Sequence, residues 1–166
     1  VKLFVVYLGG RIQGCHIEIH DVRFVAANTI EEAYPKLKQQ WVGDKNSVHM
    51  DSYTIIEHAD GYAIELTEER VEQADHLYFV NLGGYKPDRL AEAHDFGLFV
   101  ATNADEAKEK AKAFLLNGFS HIHKDDLHDV DDCFAIDLFD QNLNIKLTHS
   151  GQSTPLTPLW FGYHPL

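Results

Sequence analysis

The stretch Leu3-Phe4-Val5-Val6-Tyr7-Leu8-Gly9-Gly10 returns 74 positions later as Leu77-Tyr78-Phe79-Val80-Asn81-Leu82-Gly83-Gly84. Aligned without gaps at that offset, residues 3–51 and 77–125 share 15 identities in 49 positions. One unit is written twice, and this limits the fold more than any other feature. Each copy must make the same elements, and each serves as a check on the other.

Residues 3–8 are β-branched, aromatic and apolar almost throughout, as expected of a strand buried on both faces. The glycine pair behind it is expected to turn the chain. A second strand follows over His20-Asp21-Val22-Arg23-Phe24-Val25-Ala26-Ala27, with its counterpart from His94-Asp95 to Ala101. Thr29 with Glu32, and Asn103 with Glu106, form capping boxes that open one helix per copy. Ile30, Ala33, Leu37, Trp41 and Ala104, Ala107, Ala111, Phe114 give each helix one apolar stripe. Pro35 is expected to kink or delay the first helix, which should stop near Gly43; the second should stop at Asn117-Gly118. Beyond the first helix, Asp60-Gly61 between apolar runs signals a hairpin. In the second copy a turn is expected at Asp131-Asp132, before a strand over Phe134 to Leu138.

Each copy therefore reads strand, strand, helix, strand, strand. The expected fold is α+β: a tandem duplication of a ββαββ unit, mainly antiparallel, with one covering helix per repeat and a pseudo-two-fold axis. Residues 1–75 form the first repeat, 76–148 the second, and 149–166 a Pro/aromatic C-terminal arm. The arm ends in Leu159-Trp160-Phe161-Gly162-Tyr163. So apolar an arm is expected either to dock on its own core or to reach a partner chain as a homodimer contact.

The formal net charge is -12, with basic and acidic residues divided evenly between the halves. Such a surface repels phosphate backbones and anionic membranes, so neither nucleic acid nor membrane is an expected partner. Cys15 and Cys133 occupy unrelated places in the two copies and make neither a disulfide framework nor a zinc pair. With no leader-like start, a cytoplasmic protein is expected.

Among the polar residues, two groups recur. His20-Asp21 returns as His94-Asp95, a candidate polar site at a strand entrance, where Asp commonly bonds the local backbone. His49 and Asp51 return as His123 and Asp125, with His121 two residues before His123. Alternate strand residues point one way, so Ser47, His49 and Asp51 should share a face, as should His121, His123 and Asp125. Imidazole and carboxylate suit a divalent metal, or one can orient the other for proton transfer. Against both stands the plainer reading of a solvated strand face. The Ser120–Asp132 run, with three His and five Asp against one Lys, invites a cation or is simply a solvated loop. No nucleophile elbow, P-loop, dinucleotide fingerprint or Cys-x-x-Cys is present.

Leu8-Gly9-Gly10, His20-Asp21 and His49-Met50-Asp51-Ser52 together resemble bacterial domain of unknown function family 1543 in its tandem two-copy form. The resemblance covers roughly 1–66 and 76–138. The second copy departs from it, with Lys124 and Asp126 in place of Met50 and Ser52. It implies no activity. Two functional readings follow from the residues: a non-catalytic binding or interaction module with a groove between the repeats, its small-molecule or protein ligand unidentified, or a metal-assisted or His/Asp acid-base hydrolase.

Overall fold

The computed structural model describes residues 1–115 and 130–166, with the backbone alone at Val130, Asp131, Asp132 and Phe139. The elements run β1 (Lys2–Gly10), β2 (Ile19–Ala27), α1 (Ile30–Gln40), β3 (His49–Ile55), β4 (His58–Ala59), β5 (Tyr62–Thr67), β6 (His76–Gly84), β7 (Ala93–Ala101), α2 (Ala104–Phe114), β8 (Val130–Ala135), β9 (Asn144–His149) and β10 (Trp160–Pro165). All strand pairings among them are antiparallel.

β1 lies between β2 and β3, and β6 lies between β7 and β8 in the same way. Because strand side chains alternate, β1 sorts its residues by parity. Phe4, Val6 and Leu8 face α1, joining Ile30, Ala33, Leu37 and Trp41 in one cluster. Leu3 and Val5 face the other way. They meet Leu77 and Phe79 of β6 and Phe24 and Val100 of the neighbouring strands. On β6, Tyr78, Val80 and Leu82 face α2, packing with Ala107 and Ala111. The order of layers is helix, sheet, shared core, sheet, helix. The α+β duplication is thus as expected, and the repeats bury one common interior.

Each repeat keeps its own sheet, and β5 of the first repeat pairs with β9 of the second, Tyr62 opposite His149 through Thr67 opposite Asn144. Both helices begin as their capping boxes require. Thr29 Oγ1 accepts from the Glu32 N–H, and Asn103 Oδ1 from the Glu106 N–H. The Glu106 carboxylate accepts in return from the N–H and hydroxyl of Thr102, which holds it below the usual carboxylate range. Asp60-Gly61 does turn the hairpin, both residues at positive φ.

Two expectations are corrected, the glycine turns and the Asp131-Asp132 turn. Gly9 and Gly10 do not turn the chain; they are the last two residues of β1, and Gly83 and Gly84 the last two of β6. In β1 the smallness serves close approach: a Cβ on Gly10 would stand 2.7 Å from the Trp41 ring. α1 carries Pro35 within it and ends at Gln40, near the expected Gly43. Asp131 and Asp132 lie within β8, not in a turn, and the strand expected at Phe134–Leu138 begins earlier and ends at Ala135. Residues 160–165 form β10, paired with β3, and Leu156 packs on the shared core, so the arm docks on its own chain. The expected end of the second helix, Asn117-Gly118, lies outside the described residues.

A common core couples the repeats. Leu3 and Leu77 are each 2% exposed within it. Leu3→Ala and Leu77→Ala are each expected to cost about 2–5 kcal/mol and to shift one cooperative unfolding transition. Calorimetry resolving two transitions, only one of which moves, would contradict this.

Candidate functional site

Past Val5 and Phe79, the side of β1 and β6 that faces the shared core leads to a cavity. The next residues on that side are Tyr7 on β1 and Asn81 on β6, equivalent at the 74-residue offset. They open a cavity of about 430 Å³, lined also by His20, Asp21 and Val22 of β2 and by Phe79, His94 and Phe96. Three repeat-related pairs thus face each other in one groove: Tyr7 with Asn81, His20 with His94, and Val22 with Phe96. Tyr7 stacks on His20 with ring centres 5.3 Å apart and on Phe96 at 6.1 Å.

The recurring His-Asp pairs reach this groove unequally. Asp21 is already committed: one oxygen accepts from the Val22 N–H, and the other pairs with Arg23 at 2.5 Å. It holds the local backbone, as the plainer reading has it. Asp95 takes the matching position on β7, opposite Leu82 as Asp21 is opposite Leu8. His20 Nε2 lies 3.2 Å from Asp51 Oδ2. His94 has different neighbours, Asn81 at 3.4 Å from Nδ1 and Glu92 at 3.6 Å from Nε2.

His20 is one end of a chain of contacts. The other oxygen of Asp51 lies 3.2 Å from His49 Nε2, and Glu18 Oε1 is 2.7 Å from the same nitrogen. His49 Nδ1 faces the Ser47 carbonyl at 3.1 Å and, since a carbonyl only accepts, donates to it. Nε2 then faces two carboxylate oxygens, one from Asp51 on β3 and one from the half-exposed Glu18. Glu18 and His49 line a second cavity of about 570 Å³ with Arg11, Asp44, Ser47 and Tyr163. The chain from Glu18 to His20 therefore runs from one cavity to the other.

A β-bulge makes this convergence. Tyr7 pairs with Ser52 and Leu8 with Met50, so Asp51 is the extra residue of β3. Bulges re-aim side chains. Gly9 provides the floor, opposite His20 on one neighbour and His49 on the other. A Cβ there would lie 2.5 Å from His49 Nε2 and 2.9 Å from both Asp51 Oδ2 and Glu18 Oε1.

The second copy repeats the bulge at a different offset. Asn81 pairs with Asp132 and Leu82 with Val130, which leaves Asp131 as the extra residue. By register, Asp131 rather than Asp125 matches Asp51. The expected set His121, His123 and Asp125 lies outside the described residues. Among the described residues, no group of three His, Cys, Asp or Glu side chains could hold a metal ion.

Glu18 was missing from the sequence reading, yet a signal was there: it returns at the 74-residue offset as Glu92, two residues before the recurring His. Tyr7 and Phe96 carry no such mark, since their equivalents are Asn81 and Val22.

Comparison with known proteins places these observations in a family. The profile described as Domain of Unknown Function (DUF1543) matches residues 15–66 and 89–139, one match per repeat. A crystal structure of a protein Il1583 from Idiomarina loihiensis is similar at a TM-score of 0.77 and 39% identity, over 99% of this chain and 97% of that one. No curated protein matches.

Burial, and then the charges of Asp51 and Asp21, push the Tyr7 phenol above its ordinary value of 10.0. The fold favours the neutral phenol, so its contribution to stability is complete below that ordinary value and is lost as pH rises through the higher folded value. Denaturation of wild type and Tyr7→Phe across an alkaline series tests this. The variant is expected to lose less stability with rising pH; parallel losses would contradict the assignment.

Proposed function

The chain belongs to the Domain of Unknown Function family DUF1543, and as that family brings no activity with it, we propose from the geometry a binding module whose small-molecule ligand lies in the groove between the repeats. The observation that carries this reading is that three repeat-related pairs converge on one aromatic-walled cavity of about 430 Å³. That is the size of a small-molecule site, and its walls mix aromatic and aliphatic side chains with His20, Asp21, Asn81 and His94. Tyr7, Phe79 and Phe96 offer ring faces, and His20, His94 and Asn81 offer hydrogen bonds at the rim. With a net charge of -12 around it, the groove suits a planar ligand that is neutral or cationic, since ring faces attract cations. The two free cysteines support a reducing, cytoplasmic setting, and the acidic surface supports the absence of a nucleic-acid partner. Among the described residues, no helix is long and apolar enough to cross a membrane.

Titration calorimetry with a panel of heteroaromatic amines tests the groove. Phe96→Ala is expected to weaken a binder about tenfold, equivalent to an aromatic contact of about 1–1.5 kcal/mol. Leu90→Ser, on a fully exposed residue, should change nothing. Binders that tolerate Phe96→Ala and His94→Ala alike would remove the reading.

One observation favours a second reading, acid-base catalysis in the same groove. Asp51 accepts from His20 Nε2, which leaves the Nδ1 lone pair as a base with no partner among the described residues. Acylation of His20 by diethyl pyrocarbonate, followed by mass spectrometry, is expected to slow severalfold in Asp51→Asn. An unchanged rate would leave His20 as a wall residue.

A further inference from the structure

We propose that β10 is the interface of a homodimer: a second copy of this chain lays its own β10 antiparallel along the outer edge of this one, about a two-fold axis near Phe161. The interface is independent of what the groove binds.

An edge strand leaves backbone N–H and C=O groups unpaired and invites another strand, so natural sheets blunt their edges. This chain does so with side chains. On β2 the Gln141 amide donates to the Ala26 carbonyl and accepts from the Ala26 N–H, as a neighbouring strand would. On β7, at the equivalent Val100, Asp60 accepts from the N–H and Lys110 donates to the carbonyl. On β9, Gln73 accepts from the Leu147 N–H and donates to the Ile145 carbonyl. β4 is two residues long, and its His58 carbonyl accepts from the Thr154 N–H. β8 carries Asp131 and Asp132.

β10 ends its sheet beyond β3 and has no such plug among the described residues. The nearest one, Lys38 on the Leu166 carbonyl, lies past its end. The strand is nonetheless held firmly. Trp160 stacks on Tyr53, Tyr163 packs on His49, and the Leu166 N–H donates to the Val48 carbonyl. Leu159, Phe161 and Tyr163 stay 64%, 77% and 69% exposed. The arm is thus spent on its own sheet through one edge and offers the other.

Charge selects a second copy as the occupant. Each chain carries a net charge of -12, so two copies repel unless they meet where charge is missing. Residues 150–166 hold no Asp, Glu, Lys or Arg. A strand that meets itself about a two-fold closes both edges at once and leaves neither open. The bulge between Phe161 and His164, together with Pro165, spoils the far half of β10 for pairing. The axis therefore falls near Phe161, and Leu159 and Phe161 of each copy cover those of the other.

Sedimentation equilibrium of the full chain over a concentration series tests the interface. A single association to the mass of two chains is expected, and added salt should tighten it by screening the like net charges. Phe161→Glu and Leu159→Glu, with folding checked by circular dichroism, should each weaken it by at least about tenfold, because like charges then face each other across the axis. Leu90→Glu, on a fully exposed residue elsewhere, should leave it nearly unchanged. A monomer at every concentration would overturn the interface. So would assemblies larger than two chains, a dimer that salt dissociates, or one that both arm variants leave intact.

Discussion

The structure depends on two strands that are buried on both faces. β1 and β6 each send alternate residues to a private helix and to a common core. Val6 and Val80 toward the helices and Leu3 and Leu77 toward each other are among the most buried side chains. A strand used in this way cannot tolerate a slip of one residue, because every side chain would change layers. That rigidity lets polar residues beyond the core be placed closely. Tyr7, two residues past Val5, faces the groove, and Gly9, two residues further, floors the Glu18, His49 and Asp51 cluster.

The duplication also explains why the groove exists. Two like sheets packed face to face enclose a core where their side chains are apolar and separate where they become polar. The opening lies between equivalent positions of the two copies, so His20 and His94 face the same space. The copies have diverged around that space. Tyr7 matches Asn81, and the contact of His20 with Asp51 has its second-copy parallel in the contacts of His94 with Asn81 and Glu92. A pseudo-symmetric frame thus holds an asymmetric site, with the His49 cluster attached to one side of it.

Much of this was legible beforehand, and for definite reasons. Capping boxes at Thr29 and Asn103 and the Asp60-Gly61 hairpin are local events, governed by bonds within a few residues. The alternation of β1 is equally local. What misled was the gapless alignment. The equivalence of Asp51 and Asp125 assumes a constant offset, whereas the strand register matches Asp51 with Asp131. A bulge and a change in loop length leave no mark in composition. The glycine pairs misled differently, since their identity is the same whether glycine serves a turn or a close approach.

By itself, the sequence determined that there are two like units, which residues begin the helices, which strand is central, and that histidines and aspartates return with it. These follow from periodicity and from backbone chemistry over short spans. Only the tertiary structure decided that the arm closes its own sheet, that β5 and β9 join the repeats, and that Glu18 belongs with His49 and Asp51. Those contacts link residues far apart in the chain, and their geometry is set by how two sheets pack and by where one strand bulges. Leu3 to Gly10 announced the fold; the packing around them turned Gly9 from a place to bend into a place of close approach.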